Sequence, residues 1–597
     1  MTTIDTPALI VGAGPAGASL ASFLSSEPYA IKGIMVSAAP TTSQTPRAHI
    51  VNAAALECLR DIGLEEACIR GGTSGESMLH TRWCHDMTGE EYARVYSWGN
   101  DPKRRGDYED ATPSRHIDLP QTVFEPIVVE RAMTDGWAVR FSTTFERYEL
   151  NADGTITSHL VDNVTQARFS VRSTYLFGCD GARSPILRQL GVPLIQQPGQ
   201  GLALNVLVDV DLGGFIDARM GNLHWVFQPD EDYPGFAWSG LIRMVKPWNQ
   251  WMFILFPQDP DTAKFVMPTH EQLLARCRAI VGRRGADLPL RIVDVSKWYI
   301  NEIVAESYAV GNIFCLGDAV HRHPPFNGLG SNTCVQDAFN LAWKVKHVVA
   351  GAAGAGLLAS YSPERQPVGL GVVTRANQGI RDHQPVWKEL GLLEDTPAAR
   401  VQSLADLEQP TLEACRRRER LFAAIEATGH EFHAIGVEMN HRYESSAIVL
   451  DDEIQAARTP PPWPADPILY HRSSTFPGSR LPHAWLIHRL PRPQHTSTLD
   501  LAGHGVFTLL TGIGGDRWKA AASAVGTQLG ITIVAYSIGW GQDYEDVYRD
   551  WNRKREVAEP GCVLVRPDRY ICWRSMDLVD DCEARLRKVL EQVLSRS

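Results

Sequence analysis

Ala8-Leu9-Ile10-Val11-Gly12-Ala13-Gly14-Pro15-Ala16-Gly17 stands near the start of the chain and decides how the rest is read. Four apolar residues without alternation suit a strand buried on both faces. Gly12 breaks the run, Ala16 to Leu24 has helical character, and a second apolar run spans Ile31 to Val36. Strand, glycine turn, helix and strand form a βαβ unit, which predicts a parallel sheet with covered faces. The turn itself is a G-x-G-x-x-G. Its glycines serve a tight turn, close approach of a pyrophosphate to the backbone, and seating of the helix on the strand. Pro15 and Ala16 begin a helix whose free N–H groups and partial positive charge face that pyrophosphate. Because the turn follows a strand and opens a helix, it reads as a dinucleotide site. The acidic residue that grips the ribose about 20 residues further on is missing; Ser37 stands there, and a hydroxyl bonds a ribose more weakly than a carboxylate.

Beyond residue 200 the pattern changes. Ala203–Val210, Leu223–Gln228, Phe236–Val245 and Trp251–Phe256 are alternating or aromatic-rich runs separated by Gly, Pro and Asp turns, the signature of an antiparallel sheet. The α/β pattern returns at Asn312–Leu316, a long helix is expected over 331–350, and helical segments continue to about 440. Thr459-Pro460-Pro461-Pro462-Trp463-Pro464 cannot be helical and marks a boundary. After it, Gly505–Thr511, Ile531–Ser537 and Val563–Arg566 read as strands and Trp518–Leu529 and Asp577–Leu594 as helices, a smaller α/β domain.

The chain has 597 residues, with 58 Lys and Arg against 69 Asp and Glu, a net charge of −11. That balance argues against a nucleic-acid binder that works by neutralising phosphates. A composition of 44% hydrophobic and 21% charged residues excludes wholesale disorder. No apolar run approaches the ~20 residues of a membrane span, and Met1 to Thr6 has no basic segment ahead of an apolar core, so a cytoplasmic protein is expected. Eleven cysteines without a C-x-x-C read as reduced core residues. No metal site is expected: His430-Glu431-Phe432-His433 is one residue short of the zinc helix H-E-x-x-H. Arg416-Arg417-Arg418 reads as a solvated helix face.

Two more motifs stand out. Gly178-Cys179-Asp180-Gly181-Ala182-Arg183-Ser184 follows the apolar run Tyr175–Phe177. Phe314-Cys315-Leu316-Gly317-Asp318-Ala319-Val320-His321 continues into Pro324-Pro325-Phe326-Asn327-Gly328-Leu329-Gly330-Ser331-Asn332. Taken singly, each aspartate could be no more than a turn cap. The three motifs in this order resemble the class A flavoprotein aromatic hydroxylases. The resemblance continues in Asp337–Lys344 and Tyr361–Pro367 and covers essentially the whole chain. Ser474–His483 looks like the C-terminal domain of the phenol hydroxylase branch.

That resemblance implies an α/β fold: an FAD-binding Rossmann-like parallel sheet from 1–200 and 300–370, with an interleaved antiparallel-sheet substrate domain at 201–299 that takes in parts of 74–120. A helical region at 371–458 and a C-terminal thioredoxin-like domain at 459–597 would follow. It implies FAD held by Gly12, Gly14, Pro15, Ala16 and Gly17 at the pyrophosphate, with Ser37 at the ribose position, Asp180 in the second motif and Asp318 on the ribitol. Pro325, Gly328, Gly330 and Asn332 would face the pyrimidine end of the flavin, the helix starting at Asn332. NADH or NADPH and O2 would be co-substrates; no second dinucleotide fingerprint chooses between the two nicotinamides.

Thr45–Asn52 and Arg115–Gln121 look most like the branch of 2,4-dichlorophenol and 2-hydroxybiphenyl monooxygenases. By that resemblance Arg47 and Gln121 contact FAD, His49 removes the phenolic proton and Asp118 orients its ring. A histidine partnered by a carboxylate suits general-base work near pH 7; read without the family, His49 is a polar residue capping a helix that begins near Asn52. Trp225 and Arg243 would lie near flavin and nicotinamide, although a core role for Trp225 fits equally in a chain with 16 tryptophans. The implied activity is hydroxylation of a small phenolic substrate, ortho to its hydroxyl, through a flavin C4a-hydroperoxide. Baeyer–Villiger insertion, epoxidation or oxidative dearomatisation of a polyketide-like phenol, or a non-catalytic binding role, are the alternatives. The branch is often dimeric, which leaves a homodimer open.

Overall fold

A computed structural model describes residues 2–199, 201–216, 220–259, 261–489 and 495–596. The unalternating apolar runs become inner strands of one sheet, ordered Ala309–Val310, Ile313–Cys315, Arg168–Gly178, Thr2–Val11, Ile34–Val36 and Ala138–Arg140. The last five run parallel. Ala8, Leu9 and Ile10 are fully buried because helices Pro15–Ser25 and Gly330–Val349 cover this sheet. The sheet is not parallel throughout: a hairpin, Thr143–Leu150 with Ile156–Asp162, joins it antiparallel to Arg168–Gly178. Val11 pairs with Gly178 and Gly178 with Cys315, so the three motifs, more than 130 residues apart at the ends, leave the sheet side by side at its carboxyl edge. Ligands of open α/β sheets sit at that edge, where the strand order reverses.

The middle of the chain forms a seven-stranded sheet, ordered Arg291–Tyr299, Leu202–Asp209, Gln250–Phe256, Ser239–Lys246, Leu223–Val226, His80–Cys84 and Glu91–Tyr96. It is antiparallel as expected except where Leu223–Val226 runs parallel to His80–Cys84, a pairing between distant segments that local patterning cannot show. Helix His270–Val281 covers one face. The other face, rich in Trp, Phe and Leu, turns toward Ile50 and Phe326 of the first unit.

The C-terminal sheet is ordered Ile533–Ser537, Phe507–Thr511, Cys562–Val565 and Ile571–Ser575, the first two parallel through helix Asp516–Leu529 and the others antiparallel. It docks on the first unit through fully buried charges: Lys344 Nζ lies 2.7 Å from Glu364, and Arg566 lies 2.6 Å from Glu364 and 2.5 Å from Asp568. The arginine run keeps part of its expectation: Arg416 is exposed, while Arg417 and Arg418 are half-buried. Arg417 donates to the Glu389 and Ser403 carbonyls at 2.8 and 2.7 Å, and Arg418 to Leu407 O at 2.6 Å. Carbonyls at the ends of helices Tyr361–Glu389 and Pro397–Asp406 lack intrahelical donors, and these guanidinium groups supply them. Among the described residues no helix is long and apolar enough to cross a membrane.

Candidate active site

The first glycine turn is built for close approach. Gly12 has φ +110°, and a Cβ there would lie 2.0 Å from the carbonyl oxygen of Cys179, so this glycine seats the first motif against the second. A Cβ on Gly17 would lie 1.9 Å from Gly12 O, which presses the helix onto the turn. Gly14 differs: its Cβ would meet only Glu125 Oε1, at 3.8 Å. Pro15 occupies the first helical turn and no side chain caps the helix, so the N–H groups of its first turn have no partner within the helix. Such a cradle fits a pyrophosphate. Ser37, half-buried at the end of strand Ile34–Val36, accepts from Ala39 N at 3.3 Å. Arg47 is exposed. Gln121 donates to Glu125 at 2.5 Å, and Glu125 also accepts from Ser43 N at 2.6 Å. Glu125, which the sequence reading passed over, is buried beside the turn, and burial pushes its carboxyl above the ordinary range.

Asp318 is exposed in the short turn after strand Ile313–Cys315. The Asp180 carboxylate accepts from Ile186 N at 3.3 Å and so braces the start of helix Pro185–Leu190, whose N-cap is Ser184, accepting from Leu187 N at 2.9 Å. Pro325 is exposed and leads into Asn327 and Gly328, both with positive φ. A Cβ on Gly328 would lie 2.9 Å from Cβ of Ile50, so this turn presses on the strand after His49. The long helix starts at Gly330 rather than Asn332. Asn332 is spent on the protein: it accepts from Asn52 N at 3.0 Å and donates to Ile50 O at 2.9 Å and Gly328 O at 2.5 Å. It thereby fastens segment 50–52 to the flavin-side turn.

Ile50–Val51 pairs antiparallel with Ile117–Asp118, and Leu119 N donates to His49 O at 2.6 Å. That two-stranded ribbon places His49 Nδ1 3.0 Å from Asp118 Oδ2, with the histidine side chain 12% exposed and the aspartate side chain fully buried. The reading of His49 as the helix cap falls away, because Asn52 caps helix Ala53–Asp61 by accepting from Ala55 N at 2.9 Å. Arg243 Nη2 donates to Pro46 O at 2.6 Å. Burial, then the Arg243 cation, push His49 below the ordinary imidazole pKa, while Asp118 opposes them. Burial likewise lowers Arg243, to about 10.

Comparison with known proteins agrees with this geometry. Residues 5–376 match the family described as FAD binding domain, and residues 474–597 match the aromatic-ring hydroxylase C-terminal family. The chain belongs to the FAD-dependent aromatic-ring hydroxylases. The hydroxylase is 42% identical to 2,4-dichlorophenol 6-monooxygenase of Delftia acidovorans, over 100% of this chain and 99% of the relative. It is 38% identical to phenol 2-monooxygenase of Pseudomonas sp. (strain EST1001), over 98% of this chain and 92% of the relative. The flavin-dependent monooxygenase PieE, solved with FAD and substrate, superposes with a TM-score of 0.92 at 38% identity, all of both chains being covered.

Two further residues complete the description of the hydroxylase site. Trp225 is 1% exposed and lies among Phe227, Phe256, Phe326, His383 and Trp387, with ring centroids 4.9 to 6.4 Å apart. It is a core aromatic here; a nicotinamide contact would need surface that it does not present. Asn222, fully buried just ahead of strand Leu223–Val226, reaches Asp118, and no motif in the sequence marks it.

Proposed function

We propose that the hydroxylase acts on a small phenolic ring, inserting one oxygen atom ortho to the hydroxyl with NADH or NADPH as reductant and O2 as co-substrate. The names of its relatives support the substrate class, and the His49–Asp118 pair, 3.0 Å apart, carries the mechanism. A carboxylate only accepts, so Nδ1–H points at Asp118 and Nε2 of the neutral ring keeps its lone pair. Because the imidazole is held below its ordinary pKa, it stays neutral and able to accept a proton at pH 7. Taking the phenolic proton puts electron density on the ortho carbon, where the electrophilic oxygen attaches. FAD, when bound, supplies the reduction by nicotinamide and the activation of dioxygen. Overall, phenol, O2, NAD(P)H and H⁺ give the diol, water and NAD(P)⁺.

In this reading Gly14, Ala16 and Gly17 hold the pyrophosphate, Ser37 the ribose and Asp318 the ribitol. Arg47 and Gln121 contact the cofactor, and the turn Pro325–Gly330 faces the pyrimidine end. Helix Gly330–Val349 directs its positive end there, which favours a reduced, anionic flavin. The same reading places the protein in the cytoplasm, where eleven unpaired cysteines stay reduced, and makes 459–597 a thioredoxin-like unit of a homodimer.

The test is NAD(P)H oxidation by the purified holoenzyme with phenol and 2,4-dichlorophenol, with products analysed by mass spectrometry. Acceleration with formation of an ortho diol is expected. If no phenol accelerates oxidation, or if oxygen enters a ring C–C bond, ortho hydroxylation is wrong.

A further inference from the structure

Asp118 receives a second hydrogen bond that the dyad alone does not require. Asn222 Nδ2 donates to Asp118 Oδ2 at 2.8 Å, the same oxygen that takes His49 Nδ1. The amide orientation is fixed. Trp98 Nε1, which can only donate, lies 3.1 Å from Asn222 Oδ1, so that atom must be the oxygen and the NH2 must face the aspartate. The backbone is fixed too, because Met244 N donates to Asn222 O at 2.9 Å, one residue from Arg243. Trp98 returns to the dyad, its ring edge-on to His49 with centroids 6.5 Å apart. Asp118 Oδ1 is buried and has no hydrogen-bond partner among the described residues, so Oδ2 carries the whole of the carboxylate's hydrogen bonding.

We propose that Asn222 is a positioning residue of the catalytic dyad: its amide, locked by the Trp98 indole, holds the Asp118 carboxylate turned toward His49. The inference rests on His49 acting as the base. Oδ1 has no partner among the described residues, so the two hydrogen bonds to Oδ2 fix how the carboxylate is turned. Without Asn222 the carboxylate is free to swing away from Nδ1–H, and His49 then loses both its fixed tautomer and its orientation. Asn222 prevents this without adding charge. His49, Asp118, Asn222 and Trp98 form one relay drawn from four separate segments.

Three variants of the FAD-loaded enzyme test it. Asn222→Leu removes the donor, and kcat is expected to fall about tenfold at every pH while KM for the phenol changes less, since the loss concerns proton removal. Asn222→Asp keeps the shape. Protonated, it still donates to Asp118; ionised, it repels that carboxylate. Its activity is therefore expected to fall progressively as pH rises, a dependence that loss of packing would not produce. Trp98→Phe, which frees the amide to rotate, should lose a smaller part of kcat and serves if Asn222→Leu does not fold.

A readout without turnover separates this proposal from the functional reading. In ¹⁵N-histidine NMR of the oxidised holoenzyme, with the His49 signals assigned by their loss in His49→Gln, the parent should show the Nδ1–H tautomer and Asn222→Leu a mixture. An unchanged tautomer in Asn222→Leu, or in an active parent a pH-independent loss in Asn222→Asp, overturns the role of Asn222. Absence of any phenol turnover by the parent instead overturns the functional reading and leaves the tautomer measurement to judge the relay.

Discussion

The proton affinity of His49 balances burial and the Arg243 cation against Asp118 and, less strongly, Glu431, and the Arg243 and Asp118 charges can be removed singly. Burial and the Arg243 cation press it below the ordinary imidazole value of 6.5, and the Asp118 anion opposes both. The base works only when neutral, so the acid limb of the kcat profile should lie below pH 6.5. Arg243→Met removes a positive neighbour, which raises the affinity of His49 for a proton; the acid limb should move to higher pH. Asp118→Asn removes the negative neighbour and should move the limb to lower pH, with kcat down by about 10²-fold because the ring loses its tautomer. Opposite displacements of one limb, read from kcat against pH, are the expected outcome; equal displacements would mean that His49 is not the titrating base. His49 and Asp118 were legible because each stands in a stretch that resembles a family. Trp225 was not: of its five aromatic neighbours, four come from three other segments, which no local pattern displays.

At the scale of the element, the turn and helix from Gly12 to Ser25 show how three glycines can share one motif and do different work. Gly12 and Gly17 are demanded by the fold, since a Cβ would lie 2.0 and 1.9 Å from backbone oxygens. Gly14 is not demanded by the fold, because its surroundings are open and its φ of −77° suits any residue; in the proposed reading the ligand is what requires it. Gly14→Ala should therefore fold with an unchanged melting temperature yet bind FAD at least about tenfold more weakly, a loss of about 1.4 kcal/mol. Gly17→Ala should lower the melting temperature of the flavin-free protein itself. Flavin titration and thermal unfolding of both variants check the pair, and equal damage to stability would show that Gly14 also serves packing. The turn was legible because glycine spacing is local chemistry. That Gly12 abuts Cys179 was not, because that contact depends on a strand pairing across more than 160 residues.

For the whole molecule, the question is why a C-terminal unit without a C-x-x-C is retained. One tie is electrostatic, beside an apolar cluster that packs Trp343 and Leu357 against Phe507 and Leu590. Glu364, fully buried in helix Tyr361–Glu389, is held by Lys344 from the same unit and by Arg566 from the C-terminal one. Asn340 bridges the two sides, donating to Glu364 at 2.7 Å and to Asp568 at 3.0 Å. The adjacent Arg365 reaches Asp337 at 2.7 Å, and Asp337 in turn accepts from His321 at 3.0 Å, so the docking charges stand next to the Gly317–His321 turn. Stretches 337–344 and 361–367 were legible as family motifs, but their partners lie some 200 residues away and only folding reveals them. Burial alone would raise the Glu364 carboxyl; Arg566, then Lys344, outweigh it and hold it well below the ordinary range. A carboxyl depressed in the folded state contributes stability that is present above its unfolded pKa and is lost as pH falls through the folded one. Arg566→Met leaves two buried carboxylates short of a cation, so the protein should lose about 3–5 kcal/mol at neutral pH. With its counter-charge reduced, Glu364 should also take up a proton at higher pH than in the parent, so acid unfolding begins earlier. Thermal melts followed by flavin fluorescence across an acid pH series measure both. If the C-terminal unit were independent, flavin release in Arg566→Met would occur at the parent temperature while only part of the chain unfolded; a single transition, lowered for flavin and chain together, is the result that makes the C-terminal unit part of the flavin-binding structure.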